Sequence, residues 1–155
     1  MNDQELNETL NKASVYSSRG EKCEHDIIKY LNSKYILTEQ EINFIIKKLY
    51  ENNFINSDRY VKAFINDKFR FNKWGKIKIT NELKSKNIDN ETINKYINDI
   101  DNIEYLYILK CLLQNKLKSL KGKDEYSKKA SLLRFGLSRG FCYEDIQQVL
   151  KELEN

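Results

Sequence analysis

The residues whose types and spacing could do chemistry in this chain are lysines and arginines that recur at helical intervals. Arg59, Lys62, Arg70 and Lys73 would fall within about 80° of one another on a helix that turns about 100° per residue. Lysines 110, 118 and 121 form a similar stripe further along the chain. Such stripes attract phosphates and carboxylates, so the predicted chemistry is the binding of an anionic partner.

Aromatic residues interleave with the first basic stripe, and exposed aromatic rings can stack on unpaired bases. The residues are Tyr60, Phe64, Phe69, Phe71 and Trp74. Because Tyr60 and Phe64 are four positions apart, as on one buried helix face, we interpret these rings as core.

The motifs of catalysis and metal binding are missing from the sequence. It contains no GxxxxGK[ST], GxGxxG, HExxH or GxSxG pattern, and its one histidine, His25, has no nearby partner. Cys23, Cys111 and Cys142 are widely spaced and form no CxxC pair, which favours reduced thiols. We therefore predict a non-enzyme without metal or cofactor.

The charge of the chain alternates in blocks. Its 155 residues carry a net charge of +4, but residues 59–86 and residues 110–140 each contain nine bases and two acids. The three remaining segments are net acidic. No apolar run approaches the roughly 18 residues that span a bilayer, so we expect a cytoplasmic monomer without membrane contact. The bases of the two positive blocks predict the binding surface: Arg59, Lys62, Arg70, Lys73, Lys76, Lys84, Lys86, Lys110, Lys118, Lys121, Lys128, Arg134 and Arg139.

Apolar spacing of three and four dominates the sequence, so the fold class is predicted as all-α. Thr38 with Glu41 has the pattern of a capping box, and Asn56, Ser57 and Asp58 are all residue types that favour the N-cap position at the start of another helix. The chain has no proline, and Asn87 stands where a left-handed helix end is expected. Nine helices are predicted, over about residues 4–16, 22–33, 38–52, from an opening at 56–58 to 71, 75–86, 90–99, 102–120, 124–138 and 142–153.

A pattern of Ser, base, any residue and large apolar residue recurs about every fifty positions. It begins at Ser33, Ser85 and Ser138 and assigns Ile36, Ile88 and Phe141 to equivalent places. Such a period predicts three tandem three-helix repeats, over residues 1–53, 54–100 and 101–155, in an elongated array whose hand of curvature stays open. The recurring apolar positions predict a core that includes Leu31, Ile42, Leu83, Ile93 and Ile146.

The chain resembles the RecX regulatory proteins from about Ala13 to Leu153. Residues 58–64, Asp-Arg-Tyr-Val-Lys-Ala-Phe, are similar to a segment of that family. Gly75, Ile79, Glu82-Leu83, Lys86 and Ile88 follow its G…I..EL..KGI motif, with Asn87 in place of the glycine. Arg139-Gly140-Phe141 with Ile146 resembles its RGF….I motif, and Ser18-Arg19 before Asp26-Ile27 resembles its opening repeat.

The resemblance implies an all-helical fold of three three-helix repeats and a partner, the RecA recombinase. A protein of this kind lies in the groove of the RecA filament and inhibits ATP turnover and strand exchange. The two basic blocks would meet either acidic filament surface or the DNA inside it, single- or double-stranded.

Two other functions stay open. Three-helix units with basic helices also resemble stand-alone helix-turn-helix DNA-binding modules, although the last helix of each repeat is acid-rich, which disfavours groove readout. The chain could also be a helical scaffold for an unrelated partner.

Overall fold

A computed structural model describes residues 1–154. Within that range the chain forms nine α-helices and no strand, each end lying within two residues of the prediction. The helices are α1 (Asp3–Ser18), α2 (Glu24–Lys34), α3 (Glu39–Glu51), α4 (Ser57–Arg70), α5 (Lys76–Ser85), α6 (Asn90–Ile97), α7 (Asn102–Lys118), α8 (Glu125–Ser138) and α9 (Tyr143–Glu154).

Short polar side chains begin most of these helices by accepting hydrogen bonds from free backbone amides. The predicted capping box at Thr38 is confirmed, because its hydroxyl accepts from the Glu41 amide and Glu41 accepts from the Thr38 amide. Of the three N-cap candidates at the start of α4, Asn56 takes the role, because its Oδ1 accepts from the Arg59 amide at 2.8 Å. The aspartates before α6, α7 and α8 act in the same way.

The chain packs into two compact units. The N-terminal unit contains residues 1–63 together with residues 86–88, and the C-terminal unit contains residues 64–85 and the chain from Asp89 onward. In the N-terminal unit α1, α2 and α3 pack against one another. In the C-terminal unit α7, α8 and α9 do the same, and α5 packs on α6. The predicted repeat boundaries at 53/54 and 100/101 stay a prediction.

Four of the five apolar positions that were predicted as core are buried. Leu31, Leu83, Ile93 and Ile146 are fully buried, as predicted. The prediction was wrong for Ile42, which is only half-buried at the edge of the N-terminal core. Most of that core comes from Ala13, Ile27, Leu31, Ile45, Ile46, Leu49 and Ile55.

The first repeat is out of register with the pattern read from the sequence. Ile36 is 99% exposed, whereas Phe141 is buried and Ile88 is half-buried. The prediction that Ile36 is equivalent to Ile88 and Phe141 was therefore wrong. Leu37 packs against the core instead. Asn87 and Gly140 have left-handed φ values of 63° and 96°, which confirms the helix end predicted at Asn87. The equivalent position of the first repeat is Tyr35, whose backbone is extended, with φ of −136° and ψ of 156°, so the chain leaves α2 in a different direction.

Gly136 in the interior of α8 leaves room for a side chain of α9. A Cβ at this position would lie 2.7 Å from Cδ1 of Ile146, so the missing side chain gives that isoleucine its space. Leu132, four residues before Gly136, is buried on the same helix, and Ile146 is fully buried.

Two glycines bring the loop before α5 against the loop after α8. The Gly75 amide donates to the Arg139 carbonyl at 2.7 Å, and the Ile77 amide donates to the Gly140 carbonyl at 3.0 Å. A Cβ on Gly75 would overlap the carbonyl group of Gly140, and one on Gly140 would lie 2.7 Å from the Lys78 amide nitrogen. Only glycine permits this backbone approach.

Candidate partner-binding surface

Several predicted binding residues make strong contacts within the chain. Arg59 on α4 donates through Nε to Glu21 at 2.6 Å and through Nη2 to the carbonyls of Asn53 and Phe54, at 3.1 and 3.2 Å. These bonds hold the turn after α3, where Asn53 has a left-handed φ of 63°. The Arg59 side chain is therefore engaged in structure, while Lys62 lies exposed one turn later on α4.

Lys86 takes part in a half-buried ion pair. Its Nζ lies 2.9 Å from Oδ1 of Asp26, and the two side chains are only 24% and 18% exposed. Asp26 also accepts from the Cys23 amide at 3.2 Å, at the start of α2. Burial by itself would raise the pKa of Asp26, but the bonds from Lys86 and Cys23 outweigh it and leave that pKa below its usual range.

We expect the Asp26–Lys86 pair to contribute to the free energy of unfolding at neutral pH and to lose that contribution at low pH. A lowered pKa in the folded state adds stability above the unfolded pKa, and this stability is lost as pH falls through the lower folded value. In chemical unfolding at pH 7, Asp26→Asn and Lys86→Met should show a coupling energy on the order of 1 kcal/mol. Asp26→Asn should also flatten the loss of stability below about pH 4.

The exposed pair Lys48–Glu51 is the control for this cycle, with an Nζ–Oε2 distance of 3.5 Å. Glu51→Gln should change the unfolding free energy by less than about 0.5 kcal/mol. Additive effects of Asp26→Asn and Lys86→Met would show that the two groups do not stabilise each other.

In the C-terminal unit Arg70 and Lys73 stabilise the end of α4. Arg70 forms an ion pair with Glu104, and its Nε donates to Oδ1 of Asn66 at 2.7 Å. Lys73, which has a left-handed φ of 57°, donates from Nζ to the Arg70 carbonyl at 2.9 Å. Both cations therefore satisfy groups of the chain itself as well as facing solvent.

Lys76 and Arg139 also contact groups of the chain itself, and the group that Lys76 contacts is the buried Tyr105. The Lys76 amide donates to Oη of Tyr105 at 2.9 Å, and its Nζ lies 4.8 Å from the centre of the Tyr105 ring. Burial raises the pKa of Tyr105 to about 12 against the opposing effect of that hydrogen bond. Arg139 donates through Nη2 to the Asn72 carbonyl, while its Nε is buried without a hydrogen-bond partner. Its guanidinium belongs to the packing of the two loops.

The structure also brings together lysines that the sequence analysis did not single out. Nζ of Lys68 and Nζ of Lys78 lie 4.8 and 4.5 Å from the Trp74 ring. Tyr60 and Phe69 are buried and Phe64 and Trp74 half-buried, in line with the prediction of core, whereas Phe71 is 77% exposed. Because Trp74 lies in the turn between α4 and α5, helical periodicity in the sequence does not indicate that Lys68 and Lys78 meet at its ring.

Three predicted lysines meet in one groove of the C-terminal unit. The groove has a volume of about 710 Å³ and is lined by Gln114, Asn115, Leu117, Lys118, Lys121, Glu125, Lys128 and Leu153. Lys118 and Lys121 are exposed and make no ion pair among the described residues. Lys128 lies 3.6 Å from Glu125 across one turn of α8. The lining of this groove holds three lysines and one carboxylate, that of Glu125, and is therefore net positive.

The remaining predicted residues lie apart from that lining. Lys84 is exposed near the end of α5, Lys110 lies 3.9 Å from Glu152, and Arg134 contacts Ser131 at 3.4 Å. Among residues 1–154 no group of three His, Cys, Asp or Glu side chains could hold a metal ion. None of the described helices is long and apolar enough to cross a membrane.

Comparison with known proteins points to one family. A model of the RecX second three-helix domain matches residues 58–97, and a model of the RecX third three-helix domain matches residues 105–150. The regulatory protein RecX of Finegoldia magna is 32% identical over 131 residues, which are 83% of this chain and 63% of that protein. The regulatory protein RecX of Clostridium botulinum strain Eklund 17B is 32% identical over 139 residues, 88% of this chain and 64% of that protein.

Solved structures share the fold. The crystal structure of RecX from Lactobacillus salivarius superposes with a TM-score of 0.85 at 20% identity, over 97% of each chain. A crystal structure of regulatory protein RecX gives 0.87 at 17% identity, over 94% of this chain and 73% of that one. The chain spans 63% and 64% of the two relatives named above. Because two successive domain models match in order along this all-helical chain, it belongs to the RecX family.

Proposed function

We propose that this protein binds the RecA recombinase filament and inhibits its ATP turnover and strand exchange. The observation that carries the proposal is the ordered match to the second and third RecX domains, which include both basic blocks of the chain. The relatives that match are described as regulatory proteins. A regulator that acts by contact needs an exposed surface complementary to its partner, and the lysine groove between α7 and α8 offers one.

The groove is a better candidate than the predicted stripe of Arg59, Lys62, Arg70 and Lys73, whose last member lies beyond the end of α4. Arg59 and Arg70 are held by Glu21 and Glu104, so a partner would have to compete with those carboxylates. Lys118 and Lys121 have no such competitor among the described residues, and their ammonium groups can pair with phosphates or carboxylates without losing an internal contact. The groove therefore supports an anionic surface of the filament as the contact.

The test is ATP hydrolysis by RecA filaments on single-stranded DNA in the presence of this protein. The wild-type chain should lower the rate of hydrolysis in a dose-dependent way. The double variant Lys118→Glu/Lys121→Glu should need about tenfold more protein for the same inhibition, because two attractive contacts become repulsive. Inhibition should also weaken as salt is added.

The matched control reverses two exposed lysines of the N-terminal unit, Lys29→Glu/Lys47→Glu, with the same change in net charge. This control should inhibit nearly as well as the wild type. Equal loss from both double variants would show that only net charge matters. A wild-type chain that leaves hydrolysis unchanged would refute the proposed function.

A stand-alone DNA-binding module is the competing function. The last helices of the repeats argue against it, because α6 and α9 carry Glu91, Glu144 and Asp145 in their first turns. The first turn of a recognition helix enters the major groove of DNA, where carboxylates are repelled by the flanking phosphates. Sequence-specific duplex binding in the absence of RecA would favour that module over a filament regulator.

A further inference from the structure

A second basic site lies on the N-terminal unit, where the sequence as a whole is acidic. A cleft of about 260 Å³ between α1 and α2 is lined by Asn11, Lys12, Val15, Tyr16, Arg19, Tyr30 and Lys34. No acidic residue is in this lining. Lys12, Arg19 and Lys34 are exposed and make no ion pair among the described residues. The cleft therefore combines three available cations with two aromatic rings.

The two rings form the middle of a four-layer stack. Tyr16 and Tyr30 are parallel within 6°, with centroids 4.2 Å apart. Nζ of Lys22 lies over the Tyr16 ring at 4.8 Å, and Nζ of Lys34 lies over the Tyr30 ring at 5.2 Å. Because each ring covers one face of the other, the two lysines lie against the outer faces.

A nucleic-acid base could replace a lysine on the outer face of either ring. A solvent-exposed cation–π contact contributes about 0.5–1 kcal/mol, whereas stacking of a nucleic-acid base on an aromatic ring contributes about 1–3 kcal/mol. A lysine that moves from the ring to a phosphate would gain an ion pair and open the ring face to the neighbouring base. Bases and phosphates alternate along a single strand, which matches this alternation of rings and ammonium groups.

We propose that the α1–α2 cleft binds single-stranded nucleic acid, with Lys12, Arg19 and Lys34 on phosphates and a base stacked on the outer face of Tyr30. An acidic peptide would use the cations but not the rings. A duplex would use the cations too, but its paired bases are not available for stacking. The site is separate from the lysine groove on the C-terminal unit and does not depend on binding to RecA.

The experiment measures binding of a fluorescein-labelled oligothymidylate of about eight nucleotides to the full chain by anisotropy, without RecA. The double variant Lys12→Glu/Arg19→Glu should weaken binding at least tenfold. It should also reduce the slope of log K against log salt by about 1.4, since each phosphate contact on a single strand contributes about 0.7. The double variant Lys29→Glu/Lys47→Glu, with the same charge change outside the cleft, should bind within about twofold of the wild type.

The aromatic part of the proposal has its own variants. Tyr30→Leu keeps an apolar side chain against the core but removes the ring, and should weaken binding at least fivefold. Tyr30→Phe keeps the ring and should bind like the wild type. Thermal unfolding followed by circular dichroism confirms that each variant is folded. If Tyr30→Leu does not fold, Tyr30→Trp replaces it, and this larger ring should bind the strand at least as tightly as the wild type, whereas weaker binding would contradict stacking on this residue.

The competing outcomes are distinct. Equal binding of a duplex of the same length, or displacement of the strand by polyglutamate at equal charge concentration, would overturn the assignment to single strands. The proposal also fails if the wild-type chain does not bind the oligonucleotide, or if the cleft and control reversals weaken binding equally. If the wild-type chain binds the oligonucleotide but does not inhibit RecA, the proposed cleft site is supported and only the proposed function is refuted.

Discussion

Replacement of Gly75 by alanine is expected to lower the free energy of unfolding by about 3 kcal/mol or more. The new Cβ would overlap the carbonyl carbon and oxygen of Gly140, and both of these are backbone atoms. A flexible side chain could rotate away, but here the two loops must separate. That separation would also break the hydrogen bonds from Gly75 to Arg139 and from Ile77 to Gly140. Chemical denaturation of the purified variant measures the loss.

Gly122→Ala is the matched control for this prediction. Gly122 has a left-handed φ of 88°, but a Cβ there would meet no atom within 4 Å. Its substitution should cost about 1 kcal/mol, from backbone conformation alone. If Gly75→Ala is no less stable than Gly122→Ala, the backbones of Gly75 and Gly140 do not approach each other as closely as described.

Leu83→Ala is expected to lower the free energy of unfolding by about 2–5 kcal/mol. Leu83 is fully buried on α5, and the substitution removes three buried carbon atoms and leaves a cavity that a packed helix pair cannot fill. The midpoint of urea denaturation should fall while the dependence on urea stays the same, since the unfolded surface hardly changes.

Leu137→Ala provides the comparison on an exposed surface. Leu137 is 46% exposed on α8, so the same substitution removes little buried area and should cost less than about 1 kcal/mol. A loss below about 0.5 kcal/mol for Leu83→Ala would mean that the apolar face of α5 is misplaced.

The sequence determined the helices and most of the core, because both are local properties of the chain. A helix brings residues three and four apart onto one face, so Ile79 with Leu83 and Ile93 with Ile97 mark buried faces without any knowledge of the neighbouring helices. Capping side chains such as Thr38 and Asn56 bond to amides only three residues away. Family motifs also lie in the sequence itself, so membership could be predicted before the fold was described.

Register and close packing between helices were decided by the tertiary structure. Leu31 and Ile42 are one residue further apart than Leu83 and Ile93, so the first repeat contains one extra residue in this segment. The sequence pattern aligned Ile36 with Ile88 and so located the extra residue after Ile36, but Ile36 is exposed. The role of Gly136 depends on Ile146, ten residues away, and that of Gly75 depends on Gly140, in a distant loop. A local sequence pattern cannot predict how closely two residues from different helices or loops approach each other.

The binding surface was predicted in composition but not in geometry. Charge counts located the basic blocks, yet Arg59, Arg70 and Lys86 proved to be held by carboxylates distant in sequence. The same counts described the first 58 residues as acidic and concealed the cleft around Tyr16 and Tyr30. A sum over sequence cannot distinguish a paired cation from an available one, because pairing depends on distances of a few ångströms that only the packing of helices sets.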